Sequence, residues 1–373
     1  MSEIHQFVPR FEPGATGGAV VEIRAALRSA GHRSEIYATE IDDRFAYHGA
    51  RPERDFDSGA EQGGGPRATI VYHLAIGAAM ADRLPGAPHR LVVLYHNLTP
   101  ASFLEPWDPE LGPAVSWGRQ QLRALARRAE LAIAMSAYSE EDLRAAGYRA
   151  TTNIPLPFDL TALASPDPSV LATLRSDHSG ADWLFASRLA PNKAHHDLIA
   201  AFALFRQVHD PNARLWIAGG ASSARYEAAL RGYVEALGLD RAVGFTGAVP
   251  ASHLGAYYAD ADVFVCLSDH EGFGLPVLEA WSHSLPVVAF RAGAIPEVAG
   301  DAAVLLSDKS PATVAAAVAR VAHDAALHEA LVARGRQRLA TVFEPTRTRE
   351  RMVAALERVE AGTVDVLVRS SRS

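Results

Sequence analysis

The chain has 373 residues, 49% hydrophobic and 21% charged, which is ordinary for a soluble globular protein and long enough for two α/β domains rather than one core. A formal net charge of -7 excludes the strongly basic field of a general nucleic-acid binder. The single cysteine, Cys266, excludes an internal disulfide, and no apolar run approaches the roughly 20 residues that span a bilayer, so the expected location is the cytoplasm.

Ile4 to Val8 reads as a first strand, Pro13 to Gly18 as a loop, and Ala19 to Ala30 as an Ala-rich helix ended by Gly31. This is the opening strand–helix unit of a doubly wound sheet. The loop lacks the G-x-G-x-x-G spacing, which leaves dinucleotide binding by that fingerprint unsupported. Gly17 and Gly18 there read as a tight turn that needs positive φ.

Ser34 to Thr39 gives a second strand, and residues 44–67 are mixed, with Gly63-Gly64-Gly65 as a flexible loop. Ala68 to His73 and Leu91 to Tyr95 follow as strands three and four, so His73 and His96 fall at carboxyl ends, where ligands gather in such sheets. His96 opens the polar cluster His96-Asn97-Leu98-Thr99-Pro100, whereas His73 reads as structural or at most pocket-lining.

Gly112 to Glu130 is helical, with Arg119, Arg123 and Arg127 along one face and Arg128 beside them. The stripe is either a solvated face or a weak peripheral contact with anionic lipid on the inner side of a membrane. Leu131 to Met135 is a strand, Ser139 starts a helix, and Thr151 to Asp159, with Pro155 and Pro157, reads as a stiff inter-domain linker.

Asp182 to Ala186 opens a new sheet, and the loop after it carries Arg188 and Lys193. Arginine offers a rigid fork and lysine a movable point charge, so together they can hold a diphosphate. His195 and His196 are adjacent and therefore point apart on a helix, which disfavours a metal site. Arg214 to Ala218 and Ala242 to Thr246 are further strands, and Asp260-Ala261-Asp262 reads as a helix end and strand entry rather than a metal pair.

Val263 to Leu267 is a buried strand in which Cys266 reads as a small hydrophobe. The string Ser268-Asp269-His270-Glu271-Gly272-Phe273-Gly274-Leu275-Pro276 follows, and Pro286 to Phe290 is the next strand. Pro276 suits the first position of a helix, so Gly272 to Leu275 form the loop entering it. The glycines let a ligand approach the backbone, and the N–H groups with the helix dipole favour an anion such as phosphate. Glu271 and Glu279 flank that turn as acceptors for sugar hydroxyls. Phosphate donors between two hydroxyl acceptors point to a sugar nucleotide. Thr313 to Leu339 reads as one helix, and Pro345 starts a last one that ends near Glu360.

Glu271-Gly272-Phe273-Gly274-Leu275-Pro276, with Glu279 beyond it, closely resembles the paired-glutamate motif of the retaining family-4 glycosyltransferases, glycosyl transferases group 1. The resemblance implies an α/β chain with the GT-B fold: two facing Rossmann-like domains with parallel sheets and a C-terminal helix crossing back to the first. It places an acceptor-side domain at 1–158, a nucleotide-sugar domain at 159–342, and the final helix at 343–373, packed on the first domain.

The resemblance also implies roles. Glu271 contacts the donor hexose, Glu279 the ribose, and Arg188 and Lys193 the donor phosphates. His96 touches the transferred sugar, and Gly17 and Gly18 lie near the diphosphate. Gly272, Phe273, Gly274 and Leu275 meet the donor through their backbone, with Val243 and Thr246 in the strand that holds the nucleobase. The chain departs from the family at Ala194, where a glycine commonly follows the lysine, and at Gly293-Ala294, where two glycines are common.

The implied reaction moves a hexose from a GDP- or UDP-linked donor to an acceptor hydroxyl of a saccharide, a lipid-linked saccharide or a natural product. No cofactor beyond the donor, no essential metal and no nucleic acid are expected. A sugar-nucleotide epimerase, a phosphorylase and a non-catalytic nucleotide-sugar-binding protein are the alternatives on the same architecture.

Overall fold

The computed structural model describes residues 1–56, 68–176 and 179–364. Gly63-Gly64-Gly65 lies outside the described residues. The chain forms two compact units, the first from residues 1–101, 110–159 and 343 onward, the second from residues 102–109 and 160–342.

The first unit holds a sheet of seven strands: β1 Ile4–Phe11, β2 Ile36–Ile41, β3 Arg51–Pro52, β4 Thr69–Leu74, β5 Arg90–Tyr95, β6 Leu131–Ala134 and β7 Thr151–Asn153. Their order is β3-β2-β1-β4-β5-β6-β7, and every pair is parallel. β4 and β6 are buried at every residue, as expected of parallel strands covered by helices on both faces.

Helix Pro345–Glu360 belongs to this unit and is well specified locally. Glu344 caps it by accepting from the N–H groups of Thr346 and Arg347 at 2.9 and 2.6 Å. Met352, Ala355, Leu356 and Val359 recur at helical spacing and pack against Ile4, Ile23 and Leu27. Burying a side chain such as Leu356 fully contributes about 1.5–3 kcal/mol.

The second unit holds six parallel strands: β8 Asp182–Ala186, β9 Arg214–Ala218, β10 Val243–Gly247, β11 Val263–Cys266, β12 Val287–Phe290 and β13 Val304–Leu306. The order is β10-β9-β8-β11-β12-β13. Helix His195–Val208 covers β8 with Leu198, Ile199, Phe202 and Phe205, and the last two meet Trp183 edge-on.

Several boundaries differ from the sequence reading. The first helix is Ala15–Ser29, so Gly17 and Gly18 sit inside it, and Gly14 at its N-cap takes the positive φ, 138°. Thr151–Asn153 is not linker but edge strand β7, because Ala132 donates to Ala150 O and Ile154 to Ala134 O. Thr313 to Leu339 is two helices, Pro311–His323 and Ala325–Thr341. The break is Asp324, whose side chain caps the second by accepting from Leu327 N at 3.0 Å.

Candidate active site

In a doubly wound sheet ligands collect beyond the carboxyl ends of the strands where the order reverses. In the second unit that reversal falls between β8 and β11. The loop after β8 carries Arg188 and Lys193, and the loop after β11 carries Glu271, so the topology alone puts both loops at the reversal.

Side chains lace the two loops together. Lys193 Nζ lies 2.6 Å from Glu271 Oε1, their side chains 16% and 8% exposed, and Ser268 Oγ donates to the same oxygen at 2.8 Å. Asn192 Nδ2 donates to His270 O at 3.2 Å, and Asp269 N donates back to Asn192 O at 2.9 Å. Arg188 is exposed and makes no ion pair among the described residues, so its guanidinium is available to an anion.

The backbone at Ala194 explains one departure from the family. Its φ is 51° and ψ 42°, a left-handed conformation in which a side chain costs about 1–2 kcal/mol and glycine costs nothing. Ala194 is fully buried, and its methyl packing offsets part of that cost. The other departure packs on Glu271: Ala294 N donates to Glu271 O at 2.9 Å, and a Cβ on Gly293 would stand 2.2 Å from that carbonyl oxygen.

The turn after Glu271 ends at Gly274, whose φ is 97°, and the helix runs Leu275–Ser282. It starts one residue before Pro276, so Leu275 is in the helix rather than the loop. Its first-turn N–H groups lack a carbonyl within the helix and carry the positive end of the dipole. The Phe273 side chain is buried, which leaves its backbone as the part suited to a ligand.

Glu279 lies in that helix and accepts from Tyr258 Oη at 2.7 Å. Burial raises its carboxyl above the usual range, and the Tyr258 hydroxyl pulls it partly back. Val243 is buried at the amino end of β10, where it pairs with Leu215, away from the carboxyl edge. The expected nucleobase lining is corrected accordingly: Thr246, at the other end of the strand, keeps a suitable position, and Val243 does not.

Residues that the sequence did not point to support these groups. Lys309 Nζ bridges Asp197 and Asp269 at 2.6 Å each and lies 5.2 Å from the Phe290 ring centroid, pinning the loop before Glu271. Ser268 and Tyr258 hold the two glutamates, Ser268 from just before the motif and Tyr258 from another helix. His195 is buried against Ser187 at 3.0 Å, while His196 faces Asp197 at 3.6 Å, so the two rings have separate partners. Asp260 pairs with Arg175 at 3.2 Å, and Asp262 accepts from Asp182 N at 2.8 Å. Cys266 is buried, and burial pushes its thiol up to about 11.

His96, Gly17 and Gly18 belong to the first unit. His96 Nε2 lies 2.9 Å from His73 Nδ1, and burial pulls the His96 imidazole down to about 3. A Cβ on Gly17 would stand 2.0 Å from Glu12 O, so helix packing alone requires that glycine. Gly18 has open space around the same direction. The arginine stripe is largely committed to structure: Arg119 binds Asp142 at 2.7 Å and Leu98 O at 2.6 Å, and Arg128 bonds to Ala87 O at 3.0 Å and to His89 O. Arg123 and Arg127 alone of the four are exposed. Among the described residues no helix is long and apolar enough to cross a membrane.

Two Rossmann-like units with parallel sheets, the last helix returning to the first, are the GT-B architecture. The same fold recurs in sucrose-phosphate synthase from Thermosynechococcus elongatus, with a TM-score of 0.78, 20% identity, and coverage of 97% of this chain and 100% of that one. It recurs in Anabaena HepE, solved with UDP and glucose, with a TM-score of 0.74, 21% identity, and coverage of 95% and 99%.

Residues 172–338 match the family model described as glycosyl transferases group 1. It is 32% identical over 207 residues to a GDP-mannose-dependent alpha-(1-6)-phosphatidylinositol monomannoside mannosyltransferase of Mycolicibacterium smegmatis, covering 51% of this chain and 53% of that one. It is 35% identical over 144 residues to a D-inositol 3-phosphate glycosyltransferase of Corynebacterium glutamicum, covering 38% and 34%. The matched spans are therefore about half and a third of these curated relatives.

Proposed function

We propose that the protein is a retaining glycosyltransferase that moves a hexose from a GDP- or UDP-linked donor to an acceptor hydroxyl on a saccharide, a lipid-linked saccharide or a small natural product. The observation that carries this reading is the meeting of Lys193 and Glu271 at 2.6 Å where the strand order reverses, with Arg188 on the same loop as Lys193 and the Gly272–Gly274 turn following Glu271. Cations and N–H donors suit a diphosphate, and a carboxylate beside them suits sugar hydroxyls. The relatives' names, which include GDP-mannose-dependent mannosyl transfer, and a neighbour solved with UDP and glucose support a nucleotide sugar as donor.

In the proposed reaction the bond from the anomeric carbon to the diphosphate oxygen breaks while the acceptor oxygen bonds to that carbon on the same face. The acceptor proton passes to a donor phosphate oxygen. Positive charge grows on the sugar, as in glycoside hydrolysis, and negative charge grows on the leaving diphosphate. Arg188, Lys193 and the turn N–H groups stabilise that negative charge more in the transition state than in the bound donor. Within the second unit Glu271 orients the sugar and Glu279 the ribose; His96, in the first unit, is the contact to a sugar hydroxyl that the resemblance implies. The scheme assigns no step to a resident metal.

The test is a panel of GDP- and UDP-sugars incubated with sugar, cyclitol and lipid-linked acceptors, with products read by mass and by anomeric NMR. Acceptor-dependent product with the donor's anomeric configuration is expected. Donor hydrolysis or epimerisation without acceptor dependence would instead establish the epimerase or phosphorylase reading, and binding without turnover the non-catalytic nucleotide-sugar-binding protein.

A further inference from the structure

The first unit contains a run of side-chain hydrogen bonds that the proposed donor contacts do not use. Gln6 on β1 is fully buried, with Nε2 2.9 Å from Val20 O and Oε1 3.0 Å from His73 Nε2. His73 on β4 is also fully buried, and its Nδ1 lies 2.9 Å from His96 Nε2, the two rings meeting edge to edge with their planes 23° apart and centroids 5.1 Å apart.

The direction of each bond follows from what each group can do. A backbone carbonyl only accepts, so the Gln6 amide turns its NH₂ to Val20 and its oxygen to His73. That oxygen only accepts, so His73 Nε2 carries a hydrogen. Burial holds the His73 imidazole well below its ordinary range, as it does His96, and a neutral ring has one N–H. His73 Nδ1 is therefore bare and accepts from His96 Nε2–H. His96 Nδ1 is then bare in turn, and it has no partner among the described residues.

We infer that His73, oriented by Gln6, is a positioning residue that fixes His96 as its Nε2–H tautomer and thereby presents Nδ1 as an acceptor for a ligand hydroxyl. A hydroxyl satisfies that nitrogen, and a deoxy position does not. That the ligand is the transferred sugar rests on the function proposed above; the tautomer does not.

The experiment uses the full chain labelled with ¹⁵N-histidine, since bare and protonated ring nitrogens differ widely in nitrogen chemical shift. At neutral pH the His96 signals are expected to show hydrogen on Nε2 and a bare Nδ1. In His73→Leu both nitrogens should move to averaged positions. Gln6→Glu provides a second arm: its carboxylate should draw a second proton onto His73, whose new Nδ1–H reverses the last bond and moves the His96 hydrogen to Nδ1. Hydrogen on His96 Nδ1 in the unaltered protein, or an unchanged His96 spectrum in both variants, overturns the inference.

Turnover supplies an independent reading. His73→Leu should lower kcat about tenfold, the worth of one hydrogen bond, with nucleoside diphosphate affinity unchanged. Turnover at the unaltered rate beside a released tautomer overturns the positioning role. Absence of transfer in the unaltered protein would instead count against the proposed function and leave the tautomer result standing.

Discussion

Lys193 and Glu271 stand 78 residues apart in sequence and 2.6 Å apart in space, each the counter-ion of the other. They reach this contact because β8 and β11 are neighbours at the reversal of the second sheet, and Ser268 joins Lys193 as a donor to the same Glu271 oxygen. The same two groups are the ones a sugar diphosphate would engage. Their pairing therefore joins the stability of the two loops to the proposed chemistry.

Lys193→Met should separate these contributions. It leaves a carboxylate only 8% exposed with a single hydroxyl donor, and breaking such a pair costs about 3 kcal/mol, near the low end because Lys193 is itself 16% exposed. The double variant Lys193→Met, Glu271→Gln should recover most of that stability in urea unfolding while transfer stays absent. Recovery of transfer together with stability would reduce the pair to a structural one.

Gly17 and Gly18 should respond in opposite ways. Gly17→Ala drives a Cβ against Glu12 O and should cost about 1–3 kcal/mol whatever the ligand. Gly18→Ala meets open space inside a helix and should raise stability by up to about 1 kcal/mol. Weaker donor binding in that better-folded variant, measured by calorimetry, would mark Gly18 as a ligand contact; unchanged binding would remove it from the site.

Mild acid should destabilise the protein through buried imidazoles. Burial lowers His73 and His195, the latter to about 3, so each folded-state pKa lies below the unfolded value near 6.5. The unfolded chain then binds more protons as pH falls below about 6.5, and stability present above that value is lost, approaching about 1.4 kcal/mol per pH unit for each ring. Denaturant midpoints should fall from pH 7 to 5, and His195→Gln should flatten the decline. A flat profile in the parent would contradict the buried neutral state.

Tyr258→Phe should act in a pH-dependent way on Glu279. Burial already raises this carboxyl, so the folded state holds its proton to higher pH than the unfolded chain, and stability falls as pH rises through that window. The Tyr258 hydroxyl offsets part of the loss by binding the carboxylate at 2.7 Å. Its removal should cost about 2 kcal/mol at pH 7 and much less at pH 4. Equal costs at the two values would place the Tyr258 effect in packing instead.

Much of this was legible in the sequence because it is local. Asp182 to Ala186 is an acid followed by four apolar residues, whose ends the structure reproduces, and the string from Val263 to Pro276 announces a strand, a turn and a helix from residue type alone. Local signals also misled: Gly17 and Gly18 looked like a loop because glycine disfavours helices, yet close packing on Glu12 requires Gly17 within one. Asp324 breaks what read as one helix, its side chain capping the second half by accepting from Leu327 N. Tyr258, Lys309 and the Gln6–His73 run were not readable, because their partners come from other elements and leave no spacing in the chain.

Calorimetric binding of GDP and UDP, each compared with its bare nucleoside, tests the shared diphosphate site most directly when repeated on Arg188→Ala, Lys193→Ala and their combination. The diphosphate of at least one nucleotide should bind far more tightly than its nucleoside, each substitution should remove much of that advantage, and the combined loss should fall short of the sum because both cations serve one group. Diphosphate affinity equal to that of the nucleoside, or unchanged in both variants, would contradict it.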